Sequence, residues 1–119
     1  MELQIIEENG RKIAEVIVDE IVVNDTQNAL DLMADAGYYG VRNIILYDKN
    51  LNPDFFNLRT QLAGDILLKF ASYHVKLAIV GNFEKYSSGS LQAFIRESNQ
   101  GNQVFFVPDR ASAITRLSE

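Results

Sequence analysis

Few side chains in this 119-residue sequence have the type and spacing to do chemistry. Asp48 and Glu84 follow the apolar runs IILY and LAIV. If those runs are neighbouring strands, two carboxylates stand at adjacent strand ends. That arrangement serves acid/base catalysis when the environment pushes the two pKa values apart. The plainer reading is two solvated loop acids, because Asp and Glu are mostly exposed. His74 is the only histidine, there is no cysteine, and no HExxH-like spacing occurs. A metal site would have to recruit carboxylates alone beside it. No catalytic residue, metal or cofactor is assigned.

Arg59-Thr60 is the least ordinary pair. If Thr60 starts a helix, its hydroxyl and the free N–H groups behind it form a weak anion site, and Arg59 adds a planar bidentate donor. The plain alternative is capping plus a salt bridge from Arg59 to Asp54 or Asp48. Ser87-Ser88-Gly89-Ser90 could also hold phosphate on backbone amides, but it lacks the GxxxxGK[ST] pattern and reads as loop and cap. Ligands of open α/β sheets bind beyond the carboxyl ends of the strands. The candidate ligand or anion rim is therefore Arg59, Thr60, Asn82, Glu84, Tyr86 and Ser88. A second candidate is an interaction face of Gln61, Gly64 and Leu68, where a leucine falls on the polar side of its helix.

These residues need elements to position them. Leu3 to Glu7 and Lys12 to Val18 are β-branched-rich runs around Asn9-Gly10, the dipeptide that best accepts a type I′ turn, and predict a β-hairpin. Asn24-Asp25-Thr26 offers helix caps, and Leu30, Met33, Ala34 and Gly37 repeat at helical spacing, which predicts a helix over roughly Thr26 to Ala36. Val41 to Tyr47 and Val75 to Val80 read as buried strands, and Val104 to Val107 as the last strand. Asn52-Pro53 opens a second helix. Arg59 would fall within its apolar half, so a break between Leu58 and Thr60 is expected, with the guanidinium held by a carboxylate or carbonyl. Ser87 or Ser88 caps a third helix that Gly101 ends as a C′ glycine, and Asp109 caps a fourth.

The order is hairpin, α, β, α, β, α, β, α. It predicts a single α/β domain over residues 1–119, with a mixed, mostly parallel sheet and the Ile44 and Leu77 runs as interior parallel neighbours. Hydrophobic residues make up 47% and charged residues 23% of the chain, the balance of an ordinary globular protein. A net charge of -5 without a Lys/Arg cluster argues against nucleic acid and anionic membrane as partners. No apolar run approaches the roughly 20 residues that span a bilayer. The acidic N-terminus does not read as a signal peptide, and the lack of cysteine fits a reducing compartment, so a cytoplasmic location is expected.

Asn57-Leu58-Arg59-Thr60, Leu62-Ala63-Gly64, Leu68-Lys69-Phe70, Tyr73, Ala78-Ile79-Val80-Gly81, Phe94-Ile95, Glu97-Ser98-Asn99, Gly101 and Phe105-Phe106-Val107 are similar to a family of small bacterial proteins catalogued as domain of unknown function 4180 (DUF4180). The resemblance implies a bacterial cytosolic protein and no particular mechanism. More loosely, the hairpin and βα units resemble the STAS domains of anti-sigma-factor antagonists. In those domains a phosphorylatable serine starts the helix after the third strand, and Thr60 is the nearest counterpart. The Asp-Ser-Ser-Gly tract is not present, and Arg59 precedes the hydroxyl.

Three functions follow. The first is a non-enzymatic regulatory or protein-interaction module that meets a protein partner or a second copy of itself. The alternative is a small-molecule or anion-binding domain using the Arg59/Thr60 helix start and the Asn82 to Ser88 loop. The third is a small hydrolase-type enzyme built on Asp48, Glu84 and His74.

Overall fold

Asn9 and Gly10 carry φ angles of 53° and 76°, the type I′ geometry that folds one strand back on the next. They join β1 (Leu3–Glu8) to β2 (Arg11–Val16), antiparallel, with Leu3 opposite Val16 and Glu8 opposite Arg11. The structure, a computed structural model, describes residues 2–119. Met1, the first residue of the expected domain, lies outside the described residues.

Three βα units follow. The Asp25 side chain caps α1 (Thr26–Tyr38) by accepting from the N–H of Asn28, and the chain returns through β3 (Asn43–Tyr47). Next come α2 (Leu62–Ser72), β4 (Lys76–Val80), α3 (Gly89–Gln100), β5 (Val104–Val107) and α4 (Arg110–Ser118). The sheet order is β1-β2-β3-β4-β5, parallel from β2 onward. Ile44 lies beside Leu77 and Leu46 beside Ile79, so β3 and β4 are interior parallel neighbours, as their unbroken apolar runs predict.

Alternation divides each strand between two layers. Ala14, Val16, Ile44, Leu46, Leu77, Ile79 and Phe106 face α1, α2 and α3, joining Leu32, Ile66, Phe70 and Leu91 in the main core. Ile13, Ile45, Ala78, Val80, Phe105 and Val107 face the other way, onto Ala113 and Leu117 of α4.

The chain is broken ahead of α2, but not where expected: no α-helix opens at Asn52-Pro53, Leu58 to Thr60 form one continuous turn, and the breaks fall at Asn57 and Gln61, for a local cause. Asn52 and Asn57 each accept, on the side chain, the N–H two residues ahead, Asp54 at 2.9 Å and Arg59 at 3.2 Å. Such bonds compete with α-helical ones. The segment becomes two 3-10 turns, Pro53–Phe56 and Leu58–Thr60, and a left-handed Gln61 (φ 65°) then starts α2. The expected partner of Arg59 is not there: the turn carries the side chain into solvent, and among the described residues it makes no ion pair. Thr60 therefore does not cap the helix as its N-cap. A second correction concerns Gly101, which ends α3 at φ -88° and not as a left-handed C′ residue.

α1 and α2 end in the same motif. The N–H of Val41 donates to Ala36 O and that of Gly40 to Gly37 O; the N–H of Val75 donates to Phe70 O and that of His74 to Ala71 O. Both are Schellman closures that require a left-handed residue. Gly40 fills one at φ 73° and His74 the other at φ 58°.

Candidate functional site

Beyond the carboxyl ends of the parallel strands, Asp48 leaves β3 and turns its carboxylate across the start of the next loop at Gly81. A Cβ on Gly81 would lie 2.8 Å from the Asp48 carboxyl carbon, so only glycine admits this seating. The carboxylate accepts from the N–H of Lys49 at 2.8 Å and from Lys85 Nζ at 3.4 Å. Beside it opens a shallow hollow of about 360 Å3, lined by Ile21, Asp48, Lys49, Leu51, Phe56 and Tyr86 among others. The Tyr86 ring stacks on Phe56, with centroids 5.0 Å apart and planes 16° apart. Lys49 pairs with Asp19 at 2.6 Å, which holds the Asp19 carboxyl below the usual carboxylate range.

Of the six rim residues read from the sequence, Tyr86 alone lines this hollow. Thr60 Oγ1 lies 2.7 Å from Asp54 O and 2.8 Å from Asn57 O, and accepts from the N–H of Leu62 at 3.2 Å, so its hydroxyl is spent on holding the turns together. The Asn82 side chain accepts from the N–H of Glu84 and the Ser88 side chain from that of Leu91, the latter capping α3. Glu84 and Arg59 are exposed. His74 precedes β4 and Glu84 follows it. Five strand residues span about 16 Å at roughly 3.3 Å each, so His74, Glu84 and Asp48 do not converge on one reacting atom.

A cluster that sequence reasoning missed lies on the α4 side of the sheet. Glu15 is 4% exposed. It accepts from Tyr47 Oη at 2.6 Å and, through both carboxylate oxygens, from Arg110 Nε at 3.0 Å. Burial first, then the bond to Glu15 and its charge, push the Tyr47 phenol up to about 12, against a smaller opposing pull from Arg110. This cluster ties β2, β3 and the first residue of α4 together. Its signal in the sequence was a carboxylate inside the apolar run Ile13 to Val18, two residues from Ile13 and so on the same strand face. Asn50, fully buried, is the other missed residue. Its amide donates to Val18 O and Glu20 O, both at 2.9 Å, and its carbonyl accepts from the N–H of Tyr47, fixing the loop that borders the hollow.

Gln61, Gly64 and Leu68 share the outer face of α2. All three are exposed, Leu68 at 64%, and a Cβ on Gly64 would meet nothing within 4 Å. At the opposite end of the sheet, a half-open apolar groove of about 460 Å3 runs between Met33, Ala34 and Gly37 of α1 and Arg42, Tyr73 and Val75. Among the described residues no group of three or more His, Cys, Asp or Glu side chains could hold a metal ion, and no helix is long and apolar enough to cross a membrane.

The fold and these surfaces define a small α/β domain with a five-stranded mixed sheet, three helices on one face and one on the other. It belongs to the family described as Domain of unknown function (DUF4180), which matches residues 8–117, nearly the whole chain. No curated protein and no solved structure matches it. The looser likeness to STAS domains finds no support among solved structures.

Proposed function

We propose that the protein is a non-enzymatic regulatory module that acts by binding a protein partner through the outer face of α2. The observation that carries this reading is Leu68, left 64% exposed in the middle of a helix beside Gly64, a position where a partner's backbone can approach closely. The polar clusters point the same way. Asp48 is paired with Lys85, Lys49 with Asp19, and Glu15 with Tyr47 and Arg110, so each is satisfied within the chain. The setting we infer is a bacterial cytoplasm, with which the cysteine-free composition agrees.

The test compares Leu68→Asp with Arg59→Ala in recovery of partners from a bacterial lysate. A charge on a packed patch is costly to desolvate, so Leu68→Asp should lose the partner that the native chain and Arg59→Ala retain. Equal recovery by both variants, with turnover that disappears on His74→Ala, would replace binding by catalysis. Small-molecule or anion binding is the second reading. The unpaired guanidinium of Arg59 and the apolar groove beside Tyr73 support it, and the internal bonds of Thr60 weigh against the helix start as its centre.

A further inference from the structure

The two edges of the sheet are treated differently. At β5 the Asn99 side chain acts as a substitute strand: its carbonyl accepts from the N–H of Phe106 at 2.7 Å and its amide donates to Phe106 O at 3.1 Å. That edge is closed. At the other end β1 is a six-residue edge strand, LQIIEE, without proline, lysine or bulge. Proline, lysine and bulges are devices that blunt an edge, and the charges β1 carries, Glu7 and Glu8, stand at its turn end, leaving Leu3 to Ile6 uncharged.

In a two-residue hairpin the residues flanking the turn exchange hydrogen bonds, and the pattern then alternates. Glu8, Ile6 and Gln4 therefore bond to β2, and the main-chain N–H and C=O groups of Leu3, Ile5 and Glu7 point outward. The side chains of Leu3 and Ile5 share the α1 face with a patch in which exposed apolar and aromatic side chains stand beside two carboxylates. Leu3, Ile17, Tyr38 and Tyr39, together with the carboxylates of Glu2 and Asp35, line one hollow of about 460 Å3 there. Among the described residues seven large apolar or aromatic side chains are exposed, and four of them (Ile5, Ile17, Tyr38 and Tyr39) lie on β1 or at this hollow.

We propose that β1 is a self-association edge, pairing antiparallel with β1 of a second copy about a two-fold axis at Ile5. A two-fold pairing must place each residue opposite one on the same sheet face. Centring on Ile5 sets Ile5 opposite Ile5 and Leu3 opposite Glu7, and uses all the outward groups at once. The sheet becomes ten-stranded, and the two patches meet above the junction. No charge opposes a like charge in the centre, whereas Glu2 faces Glu8 at both ends. Association should therefore strengthen with salt, which screens that exposed repulsion.

This interface is separate from the α2 face, and its test uses other variants. Sedimentation velocity of the full chain across concentration should show a dimer that tightens as salt is added, with amide protection gained at Leu3, Ile5 and Glu7 in hydrogen exchange. Ile5→Lys should abolish it. Glu8→Lys, at an exposed position beside the turn, should tighten the dimer several-fold and remove its salt dependence, and it carries the test if Ile5→Lys fails to fold. Leu68→Asp should leave the dimer unchanged. A chain still monomeric at about 1 mM leaves the edge to a strand of another protein and overturns the proposal. So does a dimer that survives Ile5→Lys or is lost in Leu68→Asp.

Discussion

Replacing Glu15 by Gln removes the charge beside the Tyr47 hydroxyl while keeping a hydrogen-bond acceptor of the same shape. In the native protein the phenol is raised from 10.0 to about 12 by burial first and Glu15 second. The variant should therefore titrate lower but still above 10.0, because burial remains. Arg110→Ala acts in the opposite sense: the guanidinium is the one cause that lowers this pKa, and its loss should push the phenol higher still. A raised phenol pKa favours the neutral, folded-state form. Its contribution to stability is complete below pH 10 and is lost as pH rises from 10 to about 12. A shift of two units is worth at most about 2.7 kcal/mol, and because the ring is only half-buried, screening reduces this to about 1 kcal/mol. Ultraviolet titration of tyrosinate should show one of the five tyrosines ionising late, and urea unfolding at rising pH should show the accompanying loss of stability. Five tyrosines titrating together, or shifts of the same sign in Glu15→Gln and Arg110→Ala, would refute the reasoning.

Three further outcomes follow from other places in the fold. Asn99→Ala removes two part-buried hydrogen bonds to the Phe106 main chain and should cost about 1 to 3 kcal/mol in urea unfolding; the bond from Arg116 to the Asn99 main chain is untouched, and the opened β5 edge should aggregate on concentration. Gly81→Ala drives a methyl into the Asp48 carboxyl and should destabilise by about 1 to 2 kcal/mol, with most of the loss recovered in a Gly81→Ala, Asp48→Ala double variant measured by thermal unfolding. His74→Gly relieves a left-handed non-glycine residue and should stabilise by up to about 1 kcal/mol, whereas Gly40→Ala at the equivalent position of α1 should destabilise by a similar amount.

Local chemistry made most of the fold legible in the sequence. Asn9-Gly10 specifies its turn because these residues tolerate positive φ. Asp25, Ser88 and Asp109 mark helix starts because short polar side chains reach free N–H groups. The continuous IILY and LAIV runs identify strands covered on both faces. The charge of Arg59 was enough to expect a break in an apolar helix. Its surroundings were not legible, because the direction in which the turn points the guanidinium depends on the bonds of Asn52, Asn57 and Thr60 acting together.

The site was far less legible, since its residues are distant in the chain. Glu15, Tyr47 and Arg110 span 95 positions between the first and last. Only the parallel register of β2 and β3, with α4 laid under them, brings them together. Asp48 meets Gly81 because β3 and β4 end side by side, and Asn99 meets Phe106 because α3 lies along the β5 edge. The sequence by itself determined the elements, their order and the α/β class, because turns, caps and alternation act within a few residues of one another. Which polar groups become partners, and which edge stays open, was decided by the tertiary structure alone, because hydrogen bonds and close packing act over a few ångströms of space, whatever the separation along the chain.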